Sequence, residues 1–133
     1  MNEDSCLFCN LPAERTIFEN KLVFSTFDKF PVSPGHILVI PFRHVSSFWD
    51  LQDDEIMAIK SMLRQCKIFT DKKFNPDAYN IGVNTGKPAG QTIMHVHIHL
   101  IPRYEGDVED PVGGVRNTIP GKGNYLQNNK GLL

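Results

Sequence analysis

No apolar run in this 133-residue sequence approaches the roughly 20 residues that a bilayer-spanning helix needs. An excess of either charge is also missing: 14 basic against 15 acidic side chains leave a net charge of −1. Without a basic field to hold a phosphate backbone, a nucleic-acid polymer is not expected as a partner. No internal repeat or low-complexity tract breaks the chain. Its length suits one domain, read as residues 1–133. The opening residues, "MNEDSCLFCN", are acidic and lack the basic-then-apolar layout of a secretory signal, so the expected compartment is the cytoplasm.

Cysteine is scarce as well. Three residues are an odd number, which argues against a disulfide framework. Cys66 falls inside a helical pattern and reads as a small buried hydrophobe. Cys6 and Cys9 form C-x-x-C, which in a reducing compartment suggests metal or redox chemistry. A thioredoxin-like role would place the motif between a strand and a helix, and here it lies within the first ten residues. Metal is the better reading, but one pair supplies only half of a tetrahedral site.

What the chain does contain is a succession of short strands around one long helix. "TIFENKLVFSTFD" reads as two strands turning at Asn20-Lys21. "FPVSPGHILVIPFRH" gives a Pro/Gly loop and a strand over Ile37–Ile40, stopped by Pro41. In "SSFWDLQDDEIMAIKSMLRQCKIFTDKKF", Asp53 is the expected N-cap, with Asp54 and Glu55 at the positive end of the dipole. Ile56, Ile59, Leu63, Cys66 and Phe69 then recur at steps of three and four, an apolar stripe facing a sheet. Tyr79–Val83 is a further strand, and residues 105–133 form an irregular tail rich in Gly, Pro and Asn. The expected class is α+β, with a largely antiparallel sheet.

His95 to Ile101 reads "HVHIHLI". On a strand ended by Pro102, His95, His97 and His99 would share one face and Val96, Ile98 and Leu100 the face against the helix. At about 3.3 Å per residue, His95 and His99 would stand roughly 13 Å apart along the strand. Zn–N bonds are only about 2.1 Å long, so one ion cannot easily take all three rings. They must divide their labour: an H-x-H pair chelating with the third free, or one end binding metal while the others do chemistry.

At "GQTIMHVHIHLIPRY" the sequence resembles the histidine-triad (HIT) family, with its His-φ-His-φ-His-φ-φ pattern after Gly-Gln-Ser/Thr. "FPVSPGHILVIPFRH" is similar to the family's upstream loop and strand, and "YNIGVNTGKPAGQT" to its substrate loop. "GGVRNTIPGKGNY" is similar to the tail of a bacterial branch. The resemblance implies a HIT-like fold of about five strands with one long helix and a short second helix. It implies that His97 attacks the α-phosphorus of a nucleotide to form a covalent nucleotidyl-imidazole, consistent with histidine as a covalent nucleophile. His99, when protonated, would stabilise the attacked phosphate or assist proton transfer. Gln91 matches a position near the bridging oxygen, with Thr92 beside it. Asp28 matches the ribose-binding position and Asn84 a contact near phosphate or ribose. Gly86 and Gly90 would let the loop backbone approach a ligand. His36 is expected behind these residues, buried and hydrogen-bonded. "TGKP" lacks the frame of a Walker loop.

Some bacterial members of the family, and the related galactose-1-phosphate uridylyltransferases, hold zinc on an N-terminal C-x-x-C and two histidines. By that resemblance the ligands here are Cys6, Cys9, His44 and His95, a closed structural Zn²⁺ site. The same resemblance implies a homodimer paired through the long helix and an edge strand, which extra aliphatic residues on the helix such as Met57 and Met62 would permit. The expected function is a nucleotide hydrolase or transferase acting at an α-phosphate, with dinucleoside polyphosphates such as diadenosine tetraphosphate favoured. Alternatives are a nucleoside phosphoramidase or nucleotidyltransferase, or a nucleotide-binding regulatory module with little turnover. A strand-borne H-x-H oxygenase lacks an acidic ligand in register. Arg103, Arg116 and Lys122 are the cations considered for distal phosphates.

Overall fold

The computed structural model describes residues 3–127. Strands β1 (Thr16–Glu19) and β2 (Val23–Phe27) meet at a turn in which Asn20 Oδ1 accepts from the N–H groups of Leu22 and Val23. β3 (Ile37–Pro41), β4 (Ala78–Val83) and β5 (Ile98–Arg103) complete a five-stranded antiparallel sheet in the order β1-β2-β3-β5-β4. β5 therefore lies between β3 and the edge strand β4, pairing Val39 with Ile98 and Ile37 with Leu100 on one side.

The single long helix, α1 (Asp53–Phe74), covers one face of this sheet. Its N-cap is Gln52, one residue before the expected Asp53, because Glu55 three positions on completes a capping box. The buried stripe is also rotated from the expected one: Ile59, Met62, Cys66 and Thr70 are buried, while Ile56, Leu63 and Phe69 are half-buried flanks. Met62, which lies outside the expected stripe, is fully buried in the core with Val39, Ile98 and Leu100, and Met57 stays 72% exposed. Asn75 ends the helix in the left-handed conformation, and Pro76 prevents its continuation.

The opposite face of the sheet is covered by the N-terminal segment. Cys6 and Phe8 pack against Phe24, Leu38 and Ile40, with Leu11 and Ile93 at the margin. Two details of β5 differ from expectation. The strand starts at Ile98, so His95 and His97 precede it, His95 in a bend, and Pro102 lies within it rather than ending it. At Pro102 the chain has passed the β3 pairing and is flanked only by β4, so its missing N–H breaks no ladder. Besides α1, the helical pieces among the described residues are short 3₁₀ helices at Glu3–Ser5, Ala13–Arg15, Phe48–Asp50, Lys87–Ala89 and Gly114–Thr118. The tail is turn-rich as far as Gln127, and positions 128–133 of the expected tail lie outside the described residues. No helix among the described residues is long and apolar enough to cross a membrane.

Candidate active site and metal centre

A cavity of about 720 Å³ opens between the sheet and the N-terminal segment. Its floor is made from residues on the face of the sheet away from α1, namely Thr26, Leu38, His97 and His99. The alternation expected of "HVHIHLI" accounts for this: Val96, Ile98 and Leu100 are buried in the helix-side core.

The three histidines occupy three different environments. His97 Nδ1 lies 2.8 Å from the carbonyl oxygen of His95. A carbonyl only accepts, so Nδ1 carries a proton, and in the neutral ring the lone pair lies on Nε2. His99 is oriented by a chain of two hydrogen bonds. The Val32 N–H donates to His36 Nδ1 at 3.2 Å, which leaves the His36 proton on Nε2. That N–H donates to His99 Nδ1 at 2.9 Å, so neutral His99 carries its own proton on Nε2. Burial, with His97 and His36 alongside, pushes His99 down to about 4. His99 is therefore a neutral N–H donor near neutral pH. Burial also lowers His36, opposed by Asp28, whose Oδ2 lies 3.5 Å from His36 Nε2. His36 is buried, as expected. Gly35 delivers it: its φ of +88° suits glycine, and a Cβ there would meet the Phe74 ring at 2.9 Å.

The other expected substrate residues divide. Asp28, Asn84 and Thr92 all line the cavity. Asp28 Oδ1 accepts from the Phe30 N–H at 2.8 Å, which leaves Oδ2 toward His36. Gln91 is buried and already engaged: Nε2 donates to Ser46 O and Ile93 O, and Oε1 accepts from the Gly86 N–H. Its amide pins the Gly86–Gly90 turn to the segment after His44 instead of presenting itself to the cavity. Both glycines of that turn have φ near +96°.

His95 turns the other way. It is fully buried, and its Nε2–H donates to Pro41 O at 2.7 Å, leaving Nδ1 as a free lone pair. That Nδ1 lies 3.4 Å from Cys6 Sγ, 3.4 Å from Cys9 Sγ and 3.2 Å from His44 Nδ1. Cys9 Sγ lies 3.2 Å from His44 Nδ1. Neighbouring ligands of a tetrahedral Zn²⁺ with Zn–N of about 2.1 Å and Zn–S of about 2.3 Å stand roughly 3.4–3.8 Å apart. The four donor atoms thus fit the group closely, with the tautomer of His95 already set for coordination. Desolvation, then the adjacent Cys6, push the Cys9 thiol up to about 11. Val96 N–H donates to Val45 O at 2.7 Å and holds the two histidine-bearing segments together.

Arg103, Arg116 and Lys122 lie away from this cavity. Arg103 is paired with Asp107 and Asn80, and Arg116 donates to Gly123 O and Lys122 O. The cations that do line it are Arg15 and Lys29. Sequence reasoning also missed its apolar wall: Leu7, Phe8, Leu11, Phe30, Val32 and Ile93. The available signal was the apolar pair inside C-x-x-C and the aromatic after Asp28-Lys29.

The family model of the HIT domain matches residues 12–106. The chain belongs to the HIT family. That match includes His36, His44 and the triad but begins after Cys6 and Cys9. Among HIT-related proteins, the asymmetrical bis(5'-nucleosyl)-tetraphosphatase of Schizosaccharomyces pombe is 36% identical over 104 residues, covering 77% of this chain and 57% of that protein. The AP-4-A phosphorylase of Mycobacterium tuberculosis is 33% identical over 92 residues, covering 68% of this chain and 47% of that one. The crystal structure of a Zn-bound histidine triad family protein from Mycobacterium smegmatis superposes with a TM-score of 0.73 at 30% identity, covering 82% of each chain.

Proposed function

We propose that this HIT protein cleaves nucleotides at the α-phosphate, with dinucleoside polyphosphates as the favoured substrates, through a covalent nucleotidyl-His97 intermediate. One observation carries the reading. Neutral His97 keeps an unprotonated Nε2 on the cavity floor because its Nδ1–H is held by the His95 carbonyl. Nε2 attacks the α-phosphorus, a P–N bond forms, and the bond to the bridging oxygen breaks. The departing polyphosphate chain takes the electron pair. Water then attacks the same phosphorus, and a P–O bond forms as the P–N bond breaks. The pair of that bond returns to Nε2, and the water's proton passes to solvent.

His99 donates its Nε2–H to the phosphate as charge develops there, a preorganised dipole rather than a cation. Asp28 accepts from the sugar hydroxyls, and Asn84 and Thr92 hold the phosphate or ribose beside it. Gln91 acts by positioning the loop that bears them. The apolar wall is suited to a base, since flat aromatic ligands are held by apolar and aromatic side chains with few polar groups. Cys6, Cys9, His44 and His95 would hold Zn²⁺ with no protein position open, so its contribution there is structural. A homodimer is supported by the exposed edge strand β4, where Ile81 is 53% exposed, and by Met57 on the outer surface of α1.

The name of the mycobacterial phosphorylase supports a second reading, in which phosphate replaces water in the second step. A panel of dinucleoside polyphosphates, nucleoside phosphoramidates and nucleotide sugars, with and without inorganic phosphate, separates these readings. His97→Ala should lose on the order of 10³-fold in rate. Equal trace turnover in both proteins would favour a nucleotide-binding module instead.

A further inference from the structure

The metal loop and the cavity share residues. Leu7 and Phe8 lie between the two cysteine ligands, and both line the cavity. Phe8 is 9% exposed, and its ring contacts His97 edge-on, with centroids 5.0 Å apart and planes at 65°. The same ring reaches His95, 6.0 Å away, on the metal side. Among the described residues, Phe8 is thus the aromatic residue whose ring spans from the proposed nucleophile to a metal ligand.

The way this segment is tied down makes the metal consequential. The hydrogen bonds of Asn10 all close within the segment, onto the carbonyls of Glu3, Asp4 and Cys6. They shape the loop without fixing it to the sheet. The polar contacts of Cys6 and Cys9 with His44 and His95 do fix it, together with the packing of Phe8 on Phe24 and Leu38. Those cysteine contacts are the ones a metal ion would convert into bonds.

We infer that the metal centre is energetically coupled to the nucleotide site: a metal on Cys6, Cys9, His44 and His95 seats Phe8 against His97 and completes the cavity wall, so metal and nucleotide strengthen each other's binding. The inference rests on the nucleotide reading above. It makes Phe8 a positioning residue, acting through His97 and the cavity wall. Coupling of this kind is reciprocal, so one factor must describe both ligands.

The test uses the full chain with Zn²⁺ and AMP as probes. Zinc affinity is measured by competition with a coloured chelator, with and without saturating AMP and corrected for zinc binding by free AMP. AMP affinity is measured by calorimetry on the zinc-loaded and zinc-free protein. Circular dichroism shows whether the zinc-free chain stays folded. AMP should raise zinc affinity about ten-fold, and zinc should raise AMP affinity by the same factor, within the usual range for coupled sites. Phe8→Ala keeps all four metal ligands and should keep zinc while its coupling factor falls toward one. Phe8→Leu should restore part of it. If AMP binds the zinc-loaded protein but leaves zinc affinity unchanged, or if Phe8→Ala couples as strongly as the parent, the inference is wrong. If AMP does not bind the zinc-loaded protein at all, the nucleotide reading itself fails, a distinguishable result.

Discussion

The Nδ1–H of His97 is held at 2.8 Å by the carbonyl of His95, and the Nδ1 of His99 accepts at 2.9 Å from His36. Two adjacent positions on one face thus present opposite chemistry to the cavity, a lone pair and an N–H. His36 is what distinguishes them, because without its donated proton His99 has no reason to keep the Nε2–H tautomer. His36→Ala should therefore lower kcat on the order of ten-fold with KM little changed, the scale seen when an orienting partner is lost. It also removes a neighbour that disfavours the protonated ring, so an inflection from His99 should move up from about 4 in the kcat profile, while burial and His97 keep it below the ordinary histidine range. An unchanged profile would mean that His36 only packs. At this scale the pairing of His97 with His99 was legible in the sequence because alternate spacing places the two rings on one face, whereas His95, before the strand begins, turns toward Cys6 and Cys9. The His36–His99 bond was not, since it joins positions 63 residues apart. The neutral state of His99 depends on burial, which no local pattern reports.

Between β3 and α1 the chain carries Arg43 and His44, and an ion pair sets how this connection lies. Arg43 Nη2 donates to Glu55 Oε1 at 2.6 Å and to Asp50 O at 2.8 Å. Glu55 is buried, and its Oε1 also accepts from the Gln52 N–H to cap the helix. The Arg43 hydrogen bond holds its carboxyl below the ordinary glutamate range. A depressed carboxylate stabilises the fold above its unfolded pKa and loses that contribution as pH falls through the folded value. Glu55→Ala removes the cap and leaves Arg43 with only its hydrogen bond to Asp50 O. Urea unfolding at neutral pH should show a loss of about 2 kcal/mol, reduced from the buried-pair range because Arg43 is partly exposed. The helix was visible from its period, yet its phase was misread. A stripe started at Ile56 makes Glu55 a polar first-turn residue, whereas Glu55 is buried on the core side and Met62 lies on the stripe.

Taken over the molecule, the sheet separates two environments, with α1 and the apolar core on one face and the N-terminal segment, cavity and metal ligands on the other. The α+β class and the largely antiparallel sheet could be anticipated, because strands of this length with one amphipathic helix leave few arrangements. The placement of β5 between β3 and β4 could not, since it joins segments far apart in the chain. The apolar wall could not, since Leu7 and Phe8 near a chain end look like loose residues until the cysteines are placed. Stability should report the buried histidines. His36 and His99 both sit below the ordinary histidine range, His99 at about 4. The unfolded chain takes up protons below about pH 6.5 while these rings stay neutral, so stability should fall from there to about pH 4 and then level off for His99. Urea midpoints across that range, compared between the parent and His99→Asn, test this. The variant should show the shallower decline.

The account turns on His97 as a covalent nucleophile. The direct test is a single-turnover reaction of the zinc-loaded protein with diadenosine tetraphosphate, quenched in denaturant under neutral-to-alkaline conditions that preserve a P–N bond. Peptide mass spectrometry of the quenched protein should find an adenylyl group on His97 that forms and decays at rates matching turnover. His97→Ala should carry none. Turnover by the parent protein with no adduct on His97 at any time, under conditions shown to preserve an adenylyl-histidine standard, would contradict the account.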